Sequence, residues 1–342
     1  MKYIELVKGL FTADHETRAK QSDPYVSYSI EANKLMLNLT PEHVVYDPYV
    51  TFTAEEDNST IGLTKLSTNQ TLEYSTDTTT WNTMDTTTNI SLNNGDKVHV
   101  RGILSNDNTY DNYTKFKMTG KISASGNCNA IWNYHDLNAS LKAYCGYYMF
   151  DSCPLLSTAL VLSATTLVES CYSNMFRNCT SLTTTPELHA VVLAPRCYNR
   201  MFHGCTSITT APELLVAGLA NSCYYGMFSG CTSLTTPSEL PATKLAKNCY
   251  YEMFYGCTSL TTAPELPATT LVESCYYRMF YNCTSLNYIK CLATDISAKN
   301  CTYNWLYNTT SNGTFVKHPN MQKWSHSSSA HPASWLLVDA EL

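Results

Sequence analysis

The stretch C-Y-Y-E-M-F-Y-G-C-T-S-L-T-T-A-P-E-L, residues Cys249 to Leu266, decides how the rest of the chain is read, because its pattern recurs every 26 residues. Cys145, Cys171, Cys197, Cys223, Cys249, Cys275 and Cys301 form one series, and Cys153, Cys179, Cys205, Cys231, Cys257 and Cys283 form a second, eight residues later. Thirteen of the fifteen cysteines fall on this ruler, and six units fill Cys145 to Asn300 without a gap. A fixed period of about 20 to 50 residues marks a repeat architecture. One unit offers about seven apolar positions at roughly 2 kcal/mol each. Ordering its backbone costs about 1 to 2 kcal/mol per residue, so it folds only by stacking on its neighbours.

Within a unit, the Cys, Met, Phe and second Cys at i, i+4, i+5 and i+8 would share one face of a helix. The spacing therefore predicts a short helix over C-Y-x-x-M-F-x-x-C. The following T-S-L-T-T segment is rich in β-branched residues and ends at Pro186, Pro212, Pro237 or Pro264, as a short strand would. The expected fold class is mixed β and α/β, with a six-coil parallel solenoid as its largest part.

Upstream, residues 1–46 hold two apolar-alternating runs, Lys2 to Val7 and Tyr25 to Ile30, and a third candidate strand at Lys34 to Leu39. They read as an attachment segment. Residues 47–126 carry about seven short candidate strands with the turn signal Asn94-Gly95, which suggests an immunoglobulin-like all-β sandwich with Trp81 as core anchor and a spacer role. Residues 127–305 form the repeat domain, with Trp132 and Leu137 expected to cap the first coil. In residues 306–342, Trp324, Trp335 and Leu336 are expected to cover the open end of the core.

These repeats resemble the BspA-like leucine-rich-repeat proteins, surface proteins of gut anaerobes, and the similar modules of crAss-like phages that infect them. The residues that carry the resemblance are the M-F-x-x-C-T-S-L-T-T-A-P-E-L cores, clearest in Met253 to Leu266, and the run Leu286 to Val316. It extends upstream through Thr51 to Glu56, Tyr74 to Asp77, Gly95 to Val98 and Met118 to Ile122. In all it covers about residues 47 to 320. The resemblance implies a structural, adhesive protein of a virion surface, a head fibre, decoration or tail fibre. Residues 1–46 would attach to a capsid or tail protein, and the repeats would meet a host surface glycan or protein. By analogy with virion fibres a homotrimer is expected. The alternative is a bacterial BspA-like adhesin.

Composition narrows the field. The chain has 342 residues, only 15% charged, with a net charge of -6, and without a Lys/Arg cluster nucleic acid is not an expected partner. Neither a secretory signal at Met1 nor about 18 consecutive apolar residues can be found, so no membrane insertion is expected. An odd number of cysteines at spacings of 8 and 18 fits reduced, buried filler better than bridges.

G-x-x-x-x-G-K-[ST], G-x-G-x-x-G, G-x-S-x-G and H-E-x-x-H are all absent. His318, His326 and His331 lack acidic neighbours, and neither a metal site nor a cofactor is expected. The column Glu187, Glu213, Glu239 and Glu265 invites a glycosidase reading, but a repeated column gives each carboxylate the same surroundings, whereas a catalytic pair needs two different ones. The paired Thr residues at Thr183, Thr209, Thr235 and Thr261 read as ordinary sheet chemistry rather than an ice-binding array. No enzyme is expected. Tyr225, Tyr251, Tyr277, Tyr255 and Tyr281 are the preferred binding residues, with Glu213, Glu239 and Glu265 beside them. Between residues 145 and 300 there are 8 Lys or Arg and 9 Asp or Glu, a near-neutral surface suited to binding by area and shape.

Overall fold

The computed structural model describes residues 26–31, 34–39, 46–214, 216–321, 324, 332 and 334–341. Two compact units are present, Met1–Tyr46 and Asp47–Leu342. In the first, β1 (Val26–Glu31) and β2 (Lys34–Leu39) pair antiparallel, with Glu31 opposite Lys34. Two of the three strands expected there are thus present; the third, Lys2 to Val7, lies outside the described residues.

The second unit opens with antiparallel sheets built from β3 (Val50–Ala54), β4 (Ser59–Lys65), β5 (Gln70–Ser75), β6 (Asn82–Thr83), β7 (Asn89–Leu92), β8 (Lys97–Leu104), β9 (Lys115–Thr119) and β10 (Ile122–Ser125). Five strands run in the order β10-β3-β8-β5-β6 and three in the order β7-β4-β9. Alternate residues of β3 and β8 are buried, as expected of half-buried strands. The sheets meet through Phe52 on β3 and Phe116 on β9, whose ring centroids lie 5.5 Å apart. Trp81 is not the core anchor expected. It precedes the two-residue edge strand β6 and is only half buried, with the Arg101 guanidinium 3.9 Å from its ring centroid.

Over Cys145–Asn300 the expected helices do not form. Each C-Y-x-x-M-F-x-x-C run is a chain of tight turns whose backbone N–H groups alternate between two kinds of acceptor. Cys171, Ser173, Met175, Arg177 and Cys179 donate three residues back, to Val168, Ser170, Tyr172, Asn174 and Phe176, at 3.2–3.3 Å. Ser170, Tyr172, Asn174, Phe176 and Asn178 donate 25 residues forward, to Pro195, Cys197, Asn199, Met201 and His203, at 2.7–3.1 Å. Every N–H of the run is thereby satisfied. A three-residue-back bond closing over a positive φ at the third turn position is the signature of a type II turn. Positive φ recurs every fourth residue, as at Ser170, Asn174 and Asn178. Seven Asn and four Gly fill these twenty-one positions from Tyr144 to Asn308, the residues that tolerate left-handed backbone best.

The T-S-L-T-T segments are also less regular than expected. They pair with the next copy through single parallel bridges such as Thr210↔Thr236 and Thr262↔Tyr288. The prolines that follow, Pro186, Pro212 and Pro264, each lack the N–H that would extend the ladder. Only at the C-terminal side do full parallel strands appear, β11 (Tyr288–Cys291), β12 (Thr314–Lys317) and β13 (Leu336–Asp339). The sole helix among the described residues, α1 (Asn129–Trp132), has four residues. The fold is therefore β-structured with almost no helix, and no sheet among the described residues closes into a barrel.

The core of the second unit runs without a break from Val50 to Trp335. Phe150, Phe176, Phe202, Phe228, Phe254 and Phe280 stack in one column at 5.6–5.8 Å. Tyr172, Tyr198, Tyr224, Tyr250 and Tyr276 stack in a second column at 5.8–6.1 Å, with Trp132 at one end and Trp305 at the other. Trp324 continues it, 5.6 Å from Trp305. Trp324 and Trp335 are buried, but Leu336 is 64% exposed; β13 is an edge strand, and Leu336 does not cover the core. All fifteen cysteines are buried and unbridged. Cys179, Cys205, Cys231, Cys257 and Cys283 each donate Sγ–H to the Phe carbonyl of the preceding copy at 3.0–3.1 Å. A small apolar side chain with a weak donor suits that place.

Candidate binding face

In each turn run, the side chains between the buried Cys, Tyr, Met and Phe line up in outward columns with those of the neighbouring copies. Two residues after the first Cys, Tyr225, Tyr251 and Tyr277 stack at 4.4 Å, and Tyr303 follows at 5.2 Å. Six residues after it, Tyr255, Tyr281 and Tyr307 stack at 5.0 and 4.8 Å. All five tyrosines singled out from the sequence are therefore brought together, as parts of two parallel stacks.

The stacks alter what these rings offer. Planes inclined by only 3–9° at 4.4–5.0 Å mean that the ring faces of Tyr225, Tyr251, Tyr277, Tyr255 and Tyr281 cover one another. Edges and hydroxyls are what the columns turn outward. Burial, reinforced by the neighbouring phenols, raises the pKa of Tyr251; burial, then Glu252, raises that of Tyr225. Both remain neutral donors and acceptors at physiological pH.

Between the two stacks lies a charged column that the sequence reading missed. The Glu252 carboxylate sits 3.9 Å from Arg200 and 3.8 Å from Arg278, its side chain 17% exposed. Gly226, one copy below Glu252, leaves the gap through which Arg200 reaches: a Cβ there would lie 3.1 Å from Arg200 Cγ. The Arg278 guanidinium lies 5.3 Å from the Tyr277 ring and 5.4 Å from the Tyr281 ring, within cation–π range. The signal was present in the sequence as charges two copies apart with glycine between them, at the position directly before Met.

The acidic residues stand on another part of the repeat. Glu187, Glu213, Glu239 and Glu265 are all exposed, and Glu265 pairs with Lys290 at 3.0 Å. Glu187 lies 3.6 Å from His189. Among the described residues, no group of three His, Cys, Asp or Glu side chains is placed to hold a metal ion; His326 and His331 lie outside the described residues. No described helix is long and apolar enough to cross a membrane.

Comparison with family models, with curated proteins and with solved structures returns no match.

Proposed function

We propose that this chain is a structural surface protein that binds by an extended repeat face: an N-terminal attachment segment, an immunoglobulin-like sandwich and a BspA-like leucine-rich-repeat solenoid with a C-terminal cap. The observation that carries this reading is the 25-residue forward hydrogen bonding, which lays each copy over the next in constant register. Constant register turns single side chains into columns, and columns of neutral phenols flanking Arg200, Glu252 and Arg278 make a rigid surface able to add many weak contacts. Tyrosine and arginine are the residues enriched at such surfaces.

Its place is the surface of a virion, as a head fibre, decoration or tail fibre, held by residues 1–46 to a capsid or tail protein and facing a host glycan or protein as a homotrimer. This part rests on the resemblance of Met253 to Leu266 and Leu286 to Val316 to the repeats of gut-bacterial and phage surface proteins. Mass spectrometry of purified intact phage particles tests it. Stoichiometric recovery of the chain supports the virion reading; its absence from particles, with recovery on bacterial envelopes, would replace it by the bacterial adhesin.

A further inference from the structure

Before the tyrosine stacks begin, the same face opens into a groove of about 360 Å³ lined by Tyr144, Tyr147, Tyr148, Asn174, Arg196 and Arg200 among others. That volume lies at the small end of the range for ligand pockets, roughly 300 to 1,000 Å³, enough for one or two sugar rings. Three features of the lining specify a chemistry.

The first is positive charge in an acidic chain. Arg196 meets Glu169 only at 3.7 Å, and Arg200 meets Glu252 only at 3.9 Å. Neither guanidinium is engaged in a close forked pair, the geometry with which arginine takes a carboxylate.

The second is an orphaned acceptor. Asn174 is 5% exposed and its amide nitrogen donates to Ser173 Oγ at 3.0 Å. Its Oδ1 is buried with no hydrogen-bond partner. A buried acceptor left unpaired is destabilising, so this atom favours a ligand with a donor. A simple anion such as sulfate brings none; a hydroxyl does.

The third is the way the tyrosines pack. Tyr147 lies edge-on to Tyr148 at 4.5 Å and 83°, and to Tyr144 at 5.3 Å and 79°. Tyr113 packs against both Tyr147 and Tyr148, and the Arg177 guanidinium lies 5.5 Å from the Tyr148 ring, whereas Tyr144 meets Tyr147 edge-on, unlike the parallel stacks farther along. Burial, then the neighbouring Tyr148, pushes the Tyr147 phenol up to about 12, so it adds no negative charge to the groove.

From these features together we propose that the groove is a binding site for a carboxylated saccharide, a uronic or sialic acid residue. Its carboxylate lies on Arg196 and Arg200, a hydroxyl donates to Asn174 Oδ1, and the sugar ring rests on Tyr144. The proposal rests on the surface-binding reading above and names the ligand class at one end of that face.

Isothermal titration of the full chain with N-acetylneuraminic acid, galacturonic acid, galactose and sulfate tests it. The expected result is saturable binding of at least one acidic sugar, with galactose and sulfate weaker by about tenfold or more, the equivalent of one charge-assisted contact. The double variant R196Q/R200Q is expected to lose about tenfold or more of that affinity. Equal binding of galactose, no saturation by either acidic sugar, or unchanged affinity in a folded double variant would overturn the proposal. The wild-type comparison of sugars needs no variant. Host-surface adhesion that persists in R196Q/R200Q and is not inhibited by free acidic sugar sinks the groove alone; loss of adhesion by the intact wild-type chain is what sinks the surface-binding reading.

Discussion

The ring of Phe116, on β9, stacks on that of Phe150, in the first turn run, with centroids 5.2 Å apart and planes inclined by 24°. The Phe116 N–H also donates to the Met149 carbonyl at 2.8 Å. The Ile122 and Cys128 N–H groups follow in the same register, donating to Leu155 and Val161. Beside them the buried Asp151 carboxylate takes Lys115 at 2.6 Å and Arg177 at 3.0 Å. The end of the sheet region thus continues into the first turn run through backbone hydrogen bonds, stacked rings and ion pairs. Phe150→Ala is expected to cost about 3 to 5 kcal/mol and to lower one calorimetric transition of residues 47–342. Two resolved transitions, only one of them shifted, would contradict this continuity.

The thiols give an independent check on the core. Burial pushes the Cys231, Cys257 and Cys283 thiols up, to about 12 for Cys231 and Cys283, so neither access nor ionisation favours reaction. In native protein at pH 8 a thiol reagent is expected to label almost nothing. In denaturant without reductant it should label all fifteen cysteines. A lower denatured count would reveal bridges and refute the filler role.

Glu252 gives the stability a defined pH dependence. Burial, only partly opposed by Arg200 and Arg278, raises its pKa above the ordinary 4.5. The native state therefore holds this proton more tightly than the unfolded chain. Its stabilising contribution is full below pH 4.5 and is lost as pH rises through the raised value. Glu252→Gln is expected to raise the Tm at pH 7 by on the order of 1–3 °C, with the gain vanishing at pH 4 and below. A lower Tm for the variant at pH 7 would mean that the arginine contacts outweigh desolvation.

The period and the buried positions of the repeats were legible in the sequence because each follows from like residues lying over like, and strands upstream were legible from their alternation, whereas the T-S-L-T-T segments form only single bridges. Val50–Ala54 formed as read, and every Cys, Met and Phe of the repeat core is buried. The helix was not legible from apolar spacing alone, because two inward and two outward residues in alternation give nearly the same pattern at i, i+4, i+5 and i+8. What separates them is Asn or Gly before Met and before the second Cys, as at Asn174, Asn178, Gly226 and Gly230. At the candidate face the tyrosine columns were readable from the period. The Arg200–Glu252–Arg278 column was not, since its contacts span two copies and depend on the bare backbone of Gly226.

Gly256 tests that turn geometry most directly. Its φ is +70°, and an added Cβ would meet nothing nearer than Gly230 backbone atoms at 4.0 Å, so alanine there changes backbone preference without a clash. In a helix, Gly256→Ala would stabilise by about 1 kcal/mol; in the left-handed position of a type II turn it destabilises by about 1 to 2 kcal/mol. Equilibrium denaturation of the two proteins decides: the turn-built repeat predicts a lower midpoint for the alanine variant, and a higher one would contradict it.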